Sequence, residues 1–555
     1  MRDLDPRLVH ATEMSAIESA MFAAGMPVAA LMEKVGQKIS QEFQKLYSVA
    51  QFLKVGICVG VGHNGGDALV VARELWHQGY EVRLCLPINR AAKPLTKVQT
   101  CYARALGIPV VSWQELADCD VLIDGIFGFG LNRPIQGELA QIFTTINQWQ
   151  KPLVSIDLPS GIHTDTGAVM GVALKADYTF CLGMWKRGIF AENALPYAGE
   201  LIGINFDIPE SIIAQHISSH HLLWRITPSQ ILETLAHHKR DVLAHKYSQG
   251  QVLLVVGSVK YAGAALLAAM AARTMGAGMV TVCVPESLRF LILAQMPDAI
   301  IYGCPETTTG AIRELPDLTH AFQQSRYQAI VCGCGLSLET PEIVSAMIKF
   351  SDQYGVPLVL DADGLNLLAQ LSEHSDAHLD PNLRELPCHL VLTPHWGEFK
   401  RLFPTIANGN SDRFTQLEMA LEKIRLPHQK SITIVLKGAR TLIATAHQEP
   451  PRSQRVWVNP ESTPALARGG TGDVLAGMIG GLIAQGIAPS DAAIQATVWH
   501  AQAARNLVKL RTERAVTPLD LVAHLLPFLQ RFSHQPLTEN KGLKPPMTTY
   551  EDWDR

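Results

Sequence analysis

Short apolar runs alternate with amphipathic stretches along most of the chain, a pattern that predicts buried strands separated by helices. In the first half, residues 53–61 (LKVGICVGV) are almost continuously apolar, and residues 65–79 follow with apolar side chains at helical spacing. Further apolar runs cover 81–87, 120–128 and 152–161, each containing or ending at an acidic residue, a glycine or a proline. This alternation favours a parallel sheet with helices on both faces.

The alternation stops between residues 205 and 230 and begins again at 251–258 (QVLLVVGS), which precedes an alanine-rich helix predicted over 262–276. The later strand-like runs lie at 279–285, 328–337, 357–368, 389–402 and 432–445, before a helical pattern over 491–510. We therefore predict two α/β domains in tandem, residues 1–222 and 223–532. The polar, proline-containing residues 533–555 are predicted to form a flexible tail.

Composition narrows the class of protein. A chain of 555 residues is too long for one core, and 47% hydrophobic with 18% charged residues is typical of globular proteins. The net charge of −4 provides no basic field, so neither nucleic acid nor an anionic membrane is an expected partner. Ten cysteines without a CxxC motif, and an N-terminus without an apolar signal core, predict a reduced, cytoplasmic protein.

Polar residues at the predicted strand ends suggest a first site. Residues 60–67 have the spacing G-x-G-x-x-G-G-D between a strand and a helix, where open sheets bind phosphates and nucleotides. Asp124 and Asp157 lie at the ends of two other strands, which would meet at the same sheet edge. Asn64, Asp124 and Ser160 offer oxygens suited to a hard cation. Individually, each is equally explained as a turn or cap residue; together they favour a site.

A second candidate lies in residues 466–477 (LARGGTGDVLAG), where Gly469, Gly470 and Gly472 precede Asp473 and an apolar helix. Glycines at this point allow main-chain N–H groups to approach an anion closely. The alternative is a tight turn in which Asp473 merely suits the helix dipole. His395 in TPHWGE and Lys437 in LKGART have similar alternatives, a structural histidine at a helix start and an exposed lysine in a surface turn.

The motifs GHNGGDALVVAR, DGIFGFGLNRPIQG and SIDLPSGIHTDTG resemble those of the NAD(P)H-hydrate epimerase domain, over residues 1–222. The resemblance implies a Rossmann-like three-layer domain that interconverts the R and S epimers of hydrated NADH or NADPH. It implies that Asn64, Asp124 and Ser160 bind potassium and that Asp157 is catalytic. The family usually has Asn at the position of His63. The implied substrate-binding residues are His63, Asn64, Gly65, Gly66, Asp67, Gly128, Phe129, Gly130, Leu131, Asn132, Arg133, Pro134 and Asp157.

The motifs HKYSQGQVLLVVGS, DADGLNLL, TPHWGE, LKGART and GGTGDVLAG together resemble the nucleotide-dependent NAD(P)H-hydrate dehydratase domain, over residues 223–532. This implies a ribokinase-like α/β fold and phosphorylation of the substrate's C6 hydroxyl by ADP with Mg²⁺, followed by loss of phosphate. Asp473 would be the base, and Gly470 and Gly472 the anion hole. The hydrate would contact Ala264, Gly335, His395 and Asp473, and the nucleotide would contact Lys437, Gly438, Ala439, Arg440, Thr441 and Gly472. The family pattern has Pro at Cys334 and Trp396, and Gly at Ser337.

Together these resemblances predict a metabolite-repair enzyme with small-molecule substrates, cytoplasmic and homo-oligomeric, in which the first domain supplies the S epimer to the second. One alternative is a vitamin-precursor kinase of the ribokinase-like fold with a regulatory N-terminal domain. Such a protein should lack the set Asn64, Asp124 and Ser160. Another alternative is that the N-terminal domain only binds or scaffolds, with His63 marking a lost activity.

Overall fold

The computed structural model of the chain describes residues 4–217, 223–231, 242–324, 326–373, 389–409, 411–424, 431–447 and 453–533. These residues form two compact units, the first ending before residue 220 and the second reaching Ser533. Residues 218–222 at the predicted boundary and the predicted tail beyond residue 533 lie outside the described residues. The boundary at 222/223 and the flexible tail therefore stay predictions.

The first unit is built on a six-stranded sheet of order β3-β2-β4-β5-β6-β8, in which all neighbouring strands are parallel. The chain leaves β2 toward β3 on one side and continues with β4 on the other, so the strand order reverses between β2 and β4. Ligands of open α/β sheets bind beyond the carboxyl ends of the strands at such a reversal. The strands are β1 Asp5–Val9, β2 Lys54–Val59, β3 Glu81–Cys85, β4 Val121–Gly125, β5 Leu153–Ile156, β6 Tyr178–Leu182, β7 Met184–Lys186 and β8 Glu200–Ile204, and the short β1 pairs with β7.

Helices cover both faces of this sheet. Val55, Ile57 and Val59 of β2 point into one apolar cluster, and Cys58 points into the opposite one, as expected for a strand buried on both sides. This gives the three-layer arrangement predicted from the continuous apolar runs. The helices are α1 Ala11–Ala23, α2 Val28–Leu46, α3 His63–His77, α4 Pro94–Ala105, α5 Gly137–Gln148, α6 Leu195–Ala198 and α7 Glu210–His216.

The second unit contains a larger sheet of order β12-β11-β10-β13-β14-β15-β16-β17-β18-β9. Strands β10 to β16 are parallel to one another. Strand β17 is antiparallel to both β16 and β18, and β18 is parallel to β9. The strand order reverses between β10 and β13. The strands are β9 Leu223–Arg225, β10 Gln251–Val255, β11 Met279–Pro285, β12 Ile300–Cys304, β13 Ala329–Cys332, β14 Leu358–Leu360, β15 His389–Leu392, β16 Ser431–Leu436, β17 Leu442–His447 and β18 Ser453–Val458.

One helix of the second unit, α16 (Thr471–Ala484), is apolar on every side and buried over almost its whole length. It packs closely on α8 (Ala262–Thr274), because a Cβ at Gly477 would lie 2.1 Å from the carbonyl oxygen of Ala268. This contact fixes the position of α16 against α8. The other helices are α9 Arg289–Gln295, α10 Thr319–Gln323, α11 Pro341–Tyr354, α12 Asp363–Glu373, α13 Trp396–Leu402, α14 Pro404–Ala407, α15 Arg413–Lys423, α17 Pro489–Leu510 and α18 Pro518–Ser533.

Among the described residues, no single helix has the length and apolar character needed to cross a bilayer. Only α1 and α2 taken together meet that criterion, with a bend of 120° between them. The cysteines in the described part of the chain are free thiols, and all of them except Cys101 are buried. Free, buried thiols are what the sequence predicts.

Two candidate active sites

The first site lies at the strand-order reversal of the first unit. The glycine-rich loop runs from the end of β2 into α3, which begins at His63. Two positions of the loop have no room for a side chain, since a Cβ at Gly65 would lie 1.9 Å from the carbonyl oxygen of Gly60 and one at Gly60 would lie 1.9 Å from that of Ile126. The glycines therefore hold the α3 N-terminus against the sheet edge, and Asn64 and Asp67 face an adjoining cavity of about 540 Å³.

Asp157 follows β5 and lies on the wall of this cavity. Its backbone is left-handed, with φ of 70°, a conformation rarely adopted by non-glycine residues outside functional sites. One carboxylate oxygen is bound by the Lys186 ammonium, and the other accepts a hydrogen bond of 3.0 Å from the Phe129 N–H. Lys186 is 1% exposed and also donates to the Leu182 carbonyl at 2.6 Å. Asp157 is thus a fixed, ion-paired carboxylate.

Two further carboxylates line the same cavity, Glu18 from α1 and Asp67 from α3. Burial raises the pKa of Glu18 to about 7, with Lys186 opposing and Asp157 adding to the shift. Burial, together with the charges of Glu18 and Asp157, raises the pKa of Asp67 well above its usual value. The cavity therefore holds groups that carry protons near neutral pH, as an acid–base site requires.

Of the predicted cation ligands, Asn64 lines the cavity, whereas Asp124 and Ser160 are buried behind its wall. Asp124 is buried and accepts hydrogen bonds from the Ser160 hydroxyl at 2.6 Å, the Ser160 N–H at 2.8 Å and the Ser155 hydroxyl at 2.9 Å. Burial raises its pKa, and these hydrogen bonds oppose the shift. The Asn64 amide donates to the Ile156 carbonyl at 3.3 Å. Asp124 and Ser160 are in direct contact. Asn64, in the first turn of α3, is hydrogen-bonded to the last residue of β5.

The remaining predicted residues of the first site either line the cavity, lie exposed outside it or are buried beneath it. Gly128, Phe129, Gly130 and Leu131 line the cavity, whereas Asn132, Arg133 and Pro134 are exposed and lie outside its lining. Of the loop residues, His63 also lines the cavity, while Gly65 and Gly66 are buried beneath it. The substrate contacts proposed for these residues remain predictions.

The second site forms around the N-terminus of α16. Gly470 caps the helix with φ of 94°, and Asp473 lies in its first turn. The first N–H groups of a helix have no intrahelical partner. The Thr471 N–H donates to the Arg468 carbonyl at 3.4 Å, whereas those of Gly472 and Asp473 are available to an anion. A Cβ at Gly472 would lie 3.2 Å from the Lys437 ammonium, so glycine keeps this approach open. These observations explain Gly470 and Gly472, whereas a Cβ at Gly469 would meet no atom within 4 Å.

Lys437 connects α16 to the ends of the neighbouring strands. Its ammonium binds Asp361, at the end of β14, at 2.7 Å, and lies 3.9 Å from Glu398 in the first turn of α13. Burial acts to lower the pKa of Lys437, but the charges of Asp361 and Glu398 outweigh it and raise the pKa. Lys437 is therefore not the exposed lysine of a surface turn, which was the alternative interpretation.

Asp473 faces the same cluster. One oxygen each of Asp361 and Asp473 and the Cys334 sulfur lie within 4.8 Å of one another. Burial and the Asp361 charge raise the pKa of Asp473 to about 7, while the Cys334 thiol and Lys437 oppose the shift. Burial also raises the pKa of Cys334, so that the thiol stays protonated beside the two carboxylates. Asp473 can exchange a proton near neutral pH.

His395 caps α13, as its structural interpretation predicts. Its Nδ1 accepts from the Gly397 N–H at 2.9 Å, and the His395 N–H donates to the Glu398 carboxylate at 2.8 Å. The side chain is 56% exposed. Gly335 and Ala264 are neighbours, since a Cβ at Gly335 would lie 2.8 Å from that of Ala264. Contact of these three residues with the hydrate stays a prediction.

The loop Lys437–Thr441 leads away from this cluster. Gly438 and Ala439 are exposed, and the Thr441 hydroxyl donates to the Gly438 carbonyl at 3.4 Å. Arg440 is buried and donates to the Pro460 carbonyl, and burial lowers its pKa to about 10. Of the predicted nucleotide ligands, only Lys437 and Gly472 lie at the α16 N-terminus. The roles of the others stay predictions.

Sequence reasoning missed three charged residues that the fold brings into these sites, Glu18, Lys186 and Asp361. Asp361 follows a predicted strand in the same way as Asp124 and Asp157, so the same rule could have identified it. Lys186 and the adjacent Arg187 interrupt an apolar stretch (CLGMWKRGIF), and basic residues within an apolar run are a signal of paired charges. Glu18 gives no such signal, since it lies in an ordinary helix.

The fold and the two carboxylate-containing sites define a two-site α/β enzyme acting on small molecules, with one acid–base cavity and one anion-binding helix N-terminus. A family model described as NAD(P)H-hydrate dehydratase matches residues 252–526, and one described as YjeF-related protein N-terminus matches residues 28–188. The chain belongs to the family of bifunctional NAD(P)H-hydrate repair enzymes. A protein of that name from Thermosynechococcus vestitus is 46% identical over 96% of this chain and 99% of its own length.

A second relative of the same name, from Synechocystis, is 44% identical over 94% of each chain. A crystal structure of the ADP/ATP-dependent NAD(P)H-hydrate dehydratase from Bacillus subtilis, co-crystallised with ATP and Mg²⁺, is 28% identical. It covers 55% of this chain and 97% of that chain, with a TM-score of 0.43. The predicted family is confirmed by the two relatives, and the predicted class of two α/β units in tandem is confirmed by the two mainly parallel sheets. The kinase alternative is not favoured, because the relatives match nearly the whole chain.

Proposed function

We propose that the first unit epimerises hydrated NADH or NADPH in the 540 Å³ cavity, and that the second dehydrates the S epimer at the α16 N-terminus with ADP as phosphoryl donor. The observation that carries the proposal is that each unit holds its own cluster of carboxylates with raised pKa values. Incubating purified protein with mixed hydrates, with and without ADP, tests it. NAD(P)H should form only with ADP, and from both epimers.

In the second site, Asp473 takes the proton of the C6 hydroxyl as the oxygen attacks the β-phosphorus of ADP. A pKa of about 7 suits this task, because a general base works best when its pKa lies near the working pH. The N–H groups at Gly470 and Gly472 and the Lys437 ammonium hold the negative charge that develops on the transferring group. AMP leaves, the C6–O bond of the phosphate ester breaks, and loss of a C5 proton restores NAD(P)H.

The acidic cluster also suits Mg²⁺. Carboxylate oxygens are the ligands that this cation takes together with nucleotide phosphates, and Asp361 and Asp473 present two such oxygens close together. Bound there, Mg²⁺ would neutralise charge on the phosphates. We infer that Lys437, Gly438, Ala439, Arg440 and Thr441 border the nucleotide, with Lys437 meeting the phosphates.

We expect ADP to support faster dehydration than ATP. The expectation rests on the resemblance to fused epimerase–dehydratase proteins and on the LKGART motif. The measurement is NADPH absorbance with pure S hydrate at matched ADP and ATP concentrations, with AMP as the product in the ADP reaction. Clearly faster turnover with ATP would mean that the donor is wrongly assigned.

The first site suits potassium. Asp124 is a buried carboxylate whose donors are all uncharged hydroxyl and N–H groups, so its negative charge has no cationic partner among the described residues. A monovalent cation held by Asn64, Asp124 and Ser160 would supply the missing positive charge beside the cavity.

A cytoplasmic, homo-oligomeric state stays a prediction from the sequence.

Replacing Asp124 by alanine should weaken potassium binding and slow epimerisation, because the only formal charge of the proposed ligand set is lost. The rate of exchange between R and S hydrates, measured against potassium concentration, checks this. Asp118→Ala is the matched control, since Asp118 is exposed and precedes the other end of β4. If exchange is indifferent to both potassium and the Asp124 change, the cation assignment is wrong.

A further inference from the structure

Glu18 occupies an unusual position in α1. One face of this helix is buried through Met14, Ile17 and Met21, whereas Glu18 borders the 540 Å³ cavity. Within the described part of the chain, its carboxylate has no hydrogen-bond donor and no ion-pair partner. A partly buried carboxylate without a partner favours its neutral, protonated form. Glu18 therefore presents to the cavity a carboxyl group whose pKa is raised to about 7.

The other charged groups around the cavity differ from Glu18. Asp157 is held in place by an ion pair with the Lys186 ammonium and by a hydrogen bond from the Phe129 N–H. Asp67 lies on α3 near Glu18 and Asp157, whose charges raise its pKa beyond the effect of burial. Lys93 and His63 lie at the exposed rim. The cavity thus holds one carboxylate that is ion-paired to Lys186 and one, Glu18, that has no partner among the described residues and whose pKa is raised to about 7.

We propose that Glu18 is a catalytic residue of the first site, the general acid that protonates the departing C6 hydroxyl, with Asp157 as the general base for the water that returns. The proposal rests on the assignment of epimerisation to this unit. It gives the two carboxylates different roles because their surroundings differ: Asp157 is ion-paired to Lys186, whereas Glu18 has no such partner among the described residues.

In the proposed epimerisation, C6 loses its hydroxyl group as water and then takes up another water molecule on the opposite face. The C6–O bond breaks, the oxygen takes the Glu18 proton and leaves as water, and the lone pair of the ring nitrogen forms an iminium bond to C6. Water then adds to the opposite face of C6, and Asp157 takes its proton. The product is the other epimer, with Glu18 ionised and Asp157 protonated. Proton exchange with solvent restores the starting state, and no oxidant or reductant is needed.

The test compares Glu18→Gln with Glu138→Gln, a matched change at an exposed first-turn glutamate of α5. We expect Glu18→Gln to lower kcat of epimerisation by roughly 10²-fold, the lower part of the range for a positioned proton donor, with little change in KM. Glu138→Gln should match the wild type. Both variants should dehydrate pure S hydrate at the wild-type rate, which shows that they are folded.

The pH profile separates a proton donor from a packing residue. Wild-type epimerisation, corrected for the uncatalysed rate, should fall as pH rises through about 7, because Glu18 then loses its proton. The Glu18→Gln variant should lack this fall. An unchanged kcat, or a fall that persists in the variant, overturns the role of Glu18. Wild-type protein without any epimerase activity would instead overturn the function proposed for this unit.

Discussion

Replacing Asp473 by asparagine should slow dehydration of pure S hydrate by roughly 10²–10⁴, the usual contribution of a positioned proton acceptor. Asparagine keeps the size and most polar contacts of the side chain at the α16 N-terminus, but it cannot take a proton. The change also removes a carboxylate that lies close to Asp361. We therefore expect the folded state to be retained while the chemical step is lost.

The measurement is NADPH absorbance with pure S hydrate and saturating ADP, alongside the rate of exchange between R and S hydrates. Asp491→Asn is the matched control, because Asp491 lies in the first turn of the next helix, α17. That control should behave as the wild type in both assays. If Asp473→Asn dehydrates within about threefold of the wild-type rate, well short of the expected contribution, Asp473 is not the base.

Replacing Asp157 by asparagine should abolish most epimerisation while leaving dehydration of pure S hydrate close to normal. Asparagine can still accept from the Phe129 N–H, but it no longer carries the charge that pairs with Lys186. With mixed hydrates and ADP, this variant should restore the S fraction quickly. It should then stall, apart from slow uncatalysed epimerisation.

The internal control for this variant is its own second unit, whose activity on pure S hydrate reports that the protein is intact. Asp177→Asn is the matched substitution, because Asp177 accepts from the Leu153 N–H at the opposite end of β5. That substitution should not produce a stall. A complete, single-phase conversion of mixed hydrates by Asp157→Asn would contradict the assignment of the first site.

Much of the fold follows from local sequence. The continuous apolar runs define the strands, with ends that differ by a few residues: the run 53–61 becomes Lys54–Val59, and 251–258 becomes Gln251–Val255. Acids at the ends of parallel strands meet at one sheet edge, which is why Asp124 and Asp157 could be placed together from sequence. The glycines before Asp473 likewise predict an open helix N-terminus, which the structure confirms.

The partners of those acids depend on contacts between distant segments. Lys186 reaches Asp157 because of the order of strands in the first sheet, and Lys437 reaches Asp361 because β14, β15 and β16 are neighbours in the second. No local pattern encodes such pairings. The exposure of Asn132, Arg133 and Pro134 also could not be predicted from the sequence. A motif gives the residue types but does not say which side chains face the cavity.

The most direct test of two separate, cooperating sites is complementation. Asp473→Asn and Asp157→Asn are mixed in equal amounts with R and S hydrates and ADP, and NADPH absorbance is followed to its end point. Each variant should retain the activity that the other lacks, so the mixture should convert both epimers completely, although neither variant does so alone. A mixture that stalls where Asp157→Asn alone stalls would contradict the account, because the two carboxylates would then belong to one shared activity.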